Sequence, residues 1–204
     1  VQLIGYSNSH NGAVAEAMPS DEAAAFASPD HVPDEIAAMA EPLAVAVHAI
    51  EQAWPTSASA FAVFGCGPVG LFVIARLKAL GLGPILAIEP TAPRRALAEK
   101  LGADMVCAPG TDEVEQWWSD LGLPGGLSES MAVAPVARKR SHAVLFDCVG
   151  KPGLLMQMAR VAPVGATIVG IGTCKDDDLI EPAFLLQKGL RLQFVFAYSP
   201  DELA

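Results

Sequence analysis

Ala60-Phe61-Ala62-Val63-Phe64-Gly65-Cys66-Gly67-Pro68-Val69-Gly70-Leu71 is the stretch on which the fold turns. Its first five residues are apolar, β-branched or aromatic, and read as a short strand buried on both faces. The strand runs directly into three glycines spaced G-x-G-x-x-G, and these open an apolar helical pattern over Pro68–Leu80. Gly65 allows the tight turn. Gly67 lets the backbone approach a pyrophosphate, and Gly70 lets the helix pack close to the strand. Pro68 suits the first helical position, where its missing N–H is an orphan in any case. The N–H groups of that first turn are left facing an anion.

Three glycines at this spacing mean little alone, and the surroundings make the reading specific. Glu89 closes the next apolar run, Ile85–Ile88. It stands about twenty residues after the last glycine, where an acid holds the hydroxyls of an adenosine ribose. Strand, glycine turn, helix, strand and acid fall in the order that dinucleotide binding requires.

Working outward, short apolar runs predict strands at Ala60–Phe64, Ile85–Ile88, Met105–Cys107, Val144–Phe146, Thr167–Gly170 and Leu192–Phe196. Helical patterns lie between them at Pro68–Leu80, Arg94–Leu101, Glu113–Leu121, Gly153–Arg160 and Pro182–Lys188. Such alternation means βαβ units with right-handed crossovers. The fold class is α/β: a doubly wound, parallel, six-stranded Rossmann sheet. Gly122–Arg140 reads as a solvated loop. Residues 1–40 read as loop and small β elements, with a turn at Asn11-Gly12 and an alanine-rich helix opened by Asp34-Glu35.

Composition narrows the function. The chain has 204 residues, with 13 basic and 23 acidic side chains and a net charge of −10, which disfavours a nucleic-acid partner. With 52% hydrophobic and 18% charged residues it can bury a core. The uncharged run Ala53–Ala75 has the length of a membrane span, but Pro55, Gly65, Gly67, Pro68 and Gly70 interrupt it. A buried strand feeding a buried helix explains it, and no membrane partner is expected. Cys66, Cys107, Cys148 and Cys174 form no C-x-x-C pair, and no basic-apolar leader opens the chain, so the expected location is cytoplasmic.

The glycine turn and the segments around it resemble the zinc-binding medium-chain dehydrogenase/reductases, the alcohol and polyol dehydrogenase superfamily. The likeness lies in Gly65–Leu71, Arg94-Arg95-Ala96-Leu97-Ala98, Leu101-Gly102-Ala103-Asp104 and, upstream, Glu41-Pro42-Leu43-Ala44-Val45-Ala46-Val47-His48-Ala49. Downstream it continues in Phe146-Asp147-Cys148-Val149-Gly150 and Gly165-Ala166-Thr167-Ile168-Val169-Gly170-Ile171-Gly172. The resemblance implies an NAD-dependent enzyme that moves a hydride between an alcohol and nicotinamide. It places the pyrophosphate over Gly67, Pro68 and Val69, with Gly65 and Gly70 shaping the turn. Glu89 takes the adenosine ribose, and Arg94 a ribose or phosphate contact. Cys148 and Val149 border the nicotinamide-side ribose. The backbone of Val169 and Ile171 lines the nicotinamide pocket, with Phe194 and Phe196 near the same ring.

The same resemblance shows what the chain lacks. Relatives carry a preceding catalytic domain with a cysteine and a His-Glu pair that bind zinc, and no such stretch occurs here. Residues 1–50 then read as the tail of a β-rich, GroES-like catalytic domain with its connecting helix. Residues 51–204 read as the NAD-binding Rossmann domain, incomplete at its C-terminus. No catalytic residue is assigned in this chain. Glu41 of the Glu-Pro pair is the one candidate metal ligand, and one carboxylate cannot hold zinc; zinc is expected in the full-length parent and not in this chain alone. The fragment alone is expected to be inactive.

Two rival functions are a zinc-free NADPH quinone or enoyl reductase of the same superfamily and a non-catalytic nucleotide-binding module. Glu41 and Glu89 argue against the first. The long apolar strand at Leu192–Phe196 is expected at the sheet's outer edge, where it would pair with a second copy in a homodimer. His48 is expected as a packed, hydrogen-bonded side chain, Asp147 as hydrogen-bonded at its strand end, and Trp117-Trp118 as helix packing. His10, His31 and His142 have no partner at ligand spacing, and Lys175-Asp176-Asp177-Asp178 reads as a solvated loop.

Overall fold

The computed structural model describes residues 12, 16–18, 25–123, 142–199 and 202. His10, Asn11 and positions 124–140 of the expected insert lie outside the described residues, as do most of the expected small β elements before residue 25. Contacts divide the chain after Ala38: Val1–Ala38 with Ala204 form one unit, and Met39–Leu203 the other.

In the first unit α1 is a single turn, Asp34–Ala37, with both acids at its start. The alanine-rich helix expected to continue from Asp34 is broken, because helix resumes only at α2, Ala40–Ala53. Pro42 supplies the reason. Its ring would collide with the carbonyl four residues back, at Ala38, and it has no N–H to offer there, so it is tolerated only in a first turn. The helix ends at Trp54, which takes a left-handed conformation (φ 45°) ahead of Pro55.

The second unit holds a six-stranded sheet of order β3-β2-β1-β4-β5-β6, every pairing parallel. The strands are β1 Ala60–Phe64, β2 Ile85–Ile88, β3 Met105–Cys107, β4 Ala143–Asp147, β5 Thr167–Gly170 and β6 Arg191–Phe194. The helices after α2 are α3 Pro68–Ala79, α4 Ala92–Leu101, α5 Asp112–Asp120, α6 Leu154–Val161 and α7 Pro182–Lys188.

Every residue of β1, β2 and β4 is buried, because helices cover both faces. Alternate residues serve opposite cores. Phe61, Val63, Ile85 and Phe146 pack with Ala49 and Ile50 of α2 and Val73, Ile74 and Leu77 of α3. Ala62, Phe64, Leu86 and Leu145 pack with Val114 and Trp118 of α5 and Met158 of α6. The uncharged run Ala53–Ala75 is thus resolved into the end of α2, β1 and α3. Among the described residues no helix is long and apolar enough to cross a membrane.

Strand β6 departs from expectation at its far end. It stops at Phe194, so Phe196 lies outside the ladder. Its neighbour β5 ends at Gly170, whose carbonyl takes the last rung from Val195 N–H (3.0 Å), and Ala197 then turns the chain with φ 59°. Strand β6 is the outer edge of the sheet as expected.

Lys188 closes the fold beneath α6. Its side chain is fully buried, and Nζ donates to the carbonyls of Ala159 (2.9 Å) and Arg160 (2.8 Å) in the last turn of α6. A cation at a helix C-terminus satisfies orphan carbonyls and opposes the helix dipole. Burial pulls the amine down to about 8, with Glu115 acting in the other sense. Lys188→Met is expected to cost about 1–3 kcal/mol of unfolding free energy in urea by leaving those carbonyls unpaired. The folded amine titrates near 8 and the unfolded one near 10.5, so between these values the unfolded chain binds the extra proton. The stability of the wild type relative to the variant should therefore rise with pH across that window. A flat or falling difference would contradict this account of Lys188.

Candidate cofactor site

The three glycines do three different things. Gly65 has φ 91°, and a Cβ there would lie 2.6 Å from Val149 Cγ2. At Gly70 a Cβ would lie 1.9 Å from the Gly65 carbonyl oxygen, so only hydrogen fits between helix and turn. At Gly67 a Cβ would meet nothing within 4 Å. The space beside Gly67, at the start of α3, is therefore open.

Backbone bonds fix this turn to its neighbours: Gly65 N–H donates to Ile88 O (2.8 Å), Cys148 N–H to Phe64 O (2.9 Å) and Glu89 N–H to Cys107 O (3.0 Å). Gly67 O accepts the first helical bond of α3 from Leu71 N–H (2.9 Å). The geometry of a helix start leaves the N–H groups of Val69 and Gly70 without a carbonyl inside α3. They form the positive end of the helix, as an anion site requires.

Glu89 stands at the end of β2 and is 2% exposed. Its Oε2 accepts from Cys66 N–H in the glycine turn (2.9 Å), and its Oε1 from Thr91 N–H (2.9 Å) and Thr91 Oγ1 (2.8 Å). Burial alone would raise this carboxyl. The donors from Cys66 and Thr91, with the Arg94 guanidinium nearby, outweigh it and hold the group below the ordinary glutamate value. The Cys66 thiol is pushed up to about 12 by burial and by Glu89, and burial also raises Cys148. Neither thiol is suited to act as a thiolate nucleophile.

A cleft of about 630 Å³ opens beside this acid, across the C-terminal ends of β1 to β4. Gly65, Gly67, Glu89, Arg94, Cys148 and Val149 all line it, so the structure gathers half of the expected binding residues in one place. Sequence reasoning missed Thr91, Lys151, Gln157 and Arg160, which line it too. Thr91 and Lys151 could have been found from their position just past a strand end. Gln157 and Arg160 reach the cleft only through the packing of α6.

Cys148 and Val149, expected beside the nicotinamide-side ribose, thus line the cleft, whereas Val169, Ile171, Phe194 and Phe196, expected at the nicotinamide ring, do not. Val169 is buried in β5 and Ile171 follows it, with Ile171 N–H donating to Asp147 O (3.0 Å). Phe194 is 65% exposed with its ring over Gly170, and Phe196 is 75% exposed. Asp147 is hydrogen-bonded as expected: its Oδ1 accepts from Val149 and Gly150 N–H, both at 2.9 Å. The loop at Lys175–Asp178 is less free than expected, since Asp178 Oδ1 accepts from Gly153 N–H at the start of α6 (2.8 Å).

Glu41 sits in the first turn of α2. His48 is engaged by Glu202 (Nδ1 to Oε1, 2.7 Å), as a packed histidine should be. Among the described residues no three His, Cys, Asp or Glu side chains stand together to hold a metal ion. No zinc site is assembled from the described side chains.

A parallel sheet of order 321456 with its glycine turn at the first strand defines a Rossmann nucleotide-binding fold. The chain belongs to the zinc-binding dehydrogenase family, whose model matches residues 68–204. It is 30% identical over 189 residues to (R,R)-butanediol dehydrogenase of Bacillus subtilis, covering 92% of this chain and 49% of that protein. It is 31% identical over 147 residues to L-idonate 5-dehydrogenase (NAD(P)(+)) of Escherichia coli, covering 69% and 42% respectively. The crystal structure of galactitol-1-phosphate dehydrogenase from Escherichia coli shares the fold with a TM-score of 0.75 at 22% identity, over 95% of this chain and 54% of that one. The chain thus spans half or less of the curated relatives named here.

The glycine geometry separates packing from binding. Gly70→Ala drives a methyl into a backbone carbonyl, and a shift of that kind is expected to cost about 1–3 kcal/mol in urea unfolding. Gly67→Ser puts its side chain into open space at a position that favours serine, so stability should stay within about 0.5 kcal/mol. Equal destabilisation by the two would mean that the described turn geometry is wrong.

Proposed function

We propose that this chain supplies the cofactor half of an NAD-dependent, zinc-type alcohol or polyol dehydrogenase. The observation that carries the reading is the open approach at Gly67 beside a helix start, tied directly to the buried acid Glu89. When bound, NAD supplies the nicotinamide carbon that accepts or gives hydride. The backbone at Gly67, Pro68 and Val69 receives the pyrophosphate, and Gly65 and Gly70 keep the turn tight enough to present it. Glu89 accepts from the adenosine ribose through lone pairs left over after its three internal donors. Arg94 stands at the same end of the cleft. Cys148 and Val149 form its wall, and Val169, Ile171 and Phe196 serve the nicotinamide end. The substrate is a small alcohol or carbonyl compound.

Residues 1–50 are proposed to continue a preceding GroES-like catalytic domain, which would carry the zinc ligands, with Glu41 as the one ligand candidate in this chain. The family membership and the relatives' lengths support that reading. A cytoplasmic location belongs to the same proposal. So does a homodimer in which β6 pairs with its copy about a two-fold axis.

NAD is expected to bind more tightly than NADP. The ionised Glu89 favours a free 2′-hydroxyl and repels a 2′-phosphate. Arg95 is committed to the main chain, donating from NH1 to Glu89 O (2.7 Å) and Pro90 O (2.8 Å), so only Arg94 of that pair is placed to meet the phosphate. Titration of both cofactors followed by calorimetry checks this, and tighter NADP binding overturns it.

For the dimer, the test residue follows from the register. Arg191 and Val195 N–H donate inward to Ala166 O and Gly170 O, so the strand period turns the amides of Leu192 and Phe194 outward. A proline at Val195 would break β6 itself, whereas Phe194→Pro removes an outward donor. Light scattering is expected to give a dimer for the wild type and a monomer for Phe194→Pro; a wild-type monomer, or an unchanged dimer in the variant, overturns the interface.

A further inference from the structure

Glu89 cannot recognise a ribose unless its carboxylate is charged and its free lone pairs face the cleft. A buried carboxylate left to itself would meet neither condition, since desolvation favours the neutral acid and the side chain can rotate. Two elements of this chain supply both. Cys66 N–H fixes Oε2 from the glycine turn, and Thr91 fixes Oε1 twice, once through its N–H and once through its hydroxyl.

Thr91 is the residue that precedes α4, a place where a hydroxyl would ordinarily cap the helix. It makes no such cap, and its Oγ1 donates to Glu89 at 2.8 Å instead. The helix start forgoes its own side-chain cap while the hydroxyl serves the acid. The main chain on which Glu89 sits is held separately, by the two carbonyl bonds from Arg95. Backbone and carboxylate are therefore positioned by different side chains, and only Thr91 Oγ1 among them can be removed without touching a main-chain bond.

We propose that Thr91 is a positioning residue for cofactor recognition. Its hydroxyl orients Glu89 and keeps it ionised, so that the ribose acid and the phosphate-binding turn act as one unit joined through Cys66 N–H. The inference rests on the dinucleotide reading and deepens it. The coupling runs both ways. A neutral Glu89 loses acceptor strength toward Cys66 N–H, and the turn loosens along with the ribose contact. Other charged or titratable groups face the same carboxylate: Arg94 from α4 and the Cys66 thiol from the turn, with Lys151 and Arg160 on the far wall of the cleft and Arg95 behind the main chain. None of these changes when Thr91 is replaced, so a shift in Glu89 titration on that replacement reports the hydroxyl.

The test uses Thr91→Val, which keeps the shape and the N–H, with Thr91→Ser as the conservative rescue. Thr91 is exposed, so both variants should fold, and thermal melting verifies it. NAD binding is followed by calorimetry from neutral pH down to about pH 4, and the Glu89 carboxyl by NMR titration of the cofactor-free chain. Thr91→Val is expected to weaken NAD roughly tenfold, the worth of one hydrogen bond to a charged group. It should also raise the Glu89 titration and move the acid limb of NAD binding to higher pH, and Thr91→Ser should restore all three. Wild-type affinity and an unmoved pH profile in Thr91→Val overturn the role of Thr91 while leaving the dinucleotide reading intact. Failure of the wild type to bind NAD overturns that reading and the role with it, even if the Glu89 titration moves as expected.

Discussion

The contact between Gly70 and the Gly65 carbonyl constrains everything else at the C-terminal end of β1. Helix α3 approaches the end of β1 so closely that a single methyl would sit 1.9 Å from a backbone oxygen. That approach aims the first turn of α3 over the C-terminal end of β1 and sets its N–H groups beside the open space at Gly67. It also brings Cys66 N–H within reach of Glu89, 23 residues away in sequence. Without it the helix would stand off, and turn and acid would be separate features.

Charge is handled locally around this contact. The chain carries a net −10, yet Arg94, Lys151 and Arg160 line the cleft around one buried carboxylate. Glu89 stays ionised because its donors are supplied by backbone and by Thr91 and do not depend on a distant counter-ion. Hydrogen bonds of this kind hold the carboxylate in one orientation without any further partner. Lys188 follows the same logic at the C-terminal end of α6, where a buried amine is matched to two helix-end carbonyls. In both cases a charge taken out of water is matched to donors or acceptors that the backbone would otherwise leave unsatisfied.

The doubly wound core makes this precision possible. Strands β1, β2 and β4 are buried on both faces, so each successive side chain is committed to one of two opposed helix layers. A slip of one residue would exchange the two layers wholesale. Register at the strand ends is therefore fixed, and the loops leaving those ends, which carry Glu89, Cys148 and Lys151, inherit that definition.

Much of this was legible in the residues themselves. Apolar runs with turn residues between them located all six strands, and four of the six matched to the residue, because a strand buried on both faces is bounded by where the apolar character stops. The G-x-G-x-x-G turn and the acid at the end of β2 were readable because their spacing is set by local backbone geometry. The apolar run of β6 extends to Phe196 but the strand ends at Phe194, because its length is decided by where β5 stops offering carbonyls and not by its own composition. Alanine content favours a helix running on from Asp34, whereas the break before α2 follows from the steric conflict between Pro42 and the Ala38 carbonyl. That Glu89 bonds to Cys66 and Thr91, that the Thr91 hydroxyl serves an acid instead of capping its helix, and that Gln157 and Arg160 of α6 reach the cleft are facts of packing. They depend on which strand ends and helix faces the fold brings together, and local spacing carries no record of that.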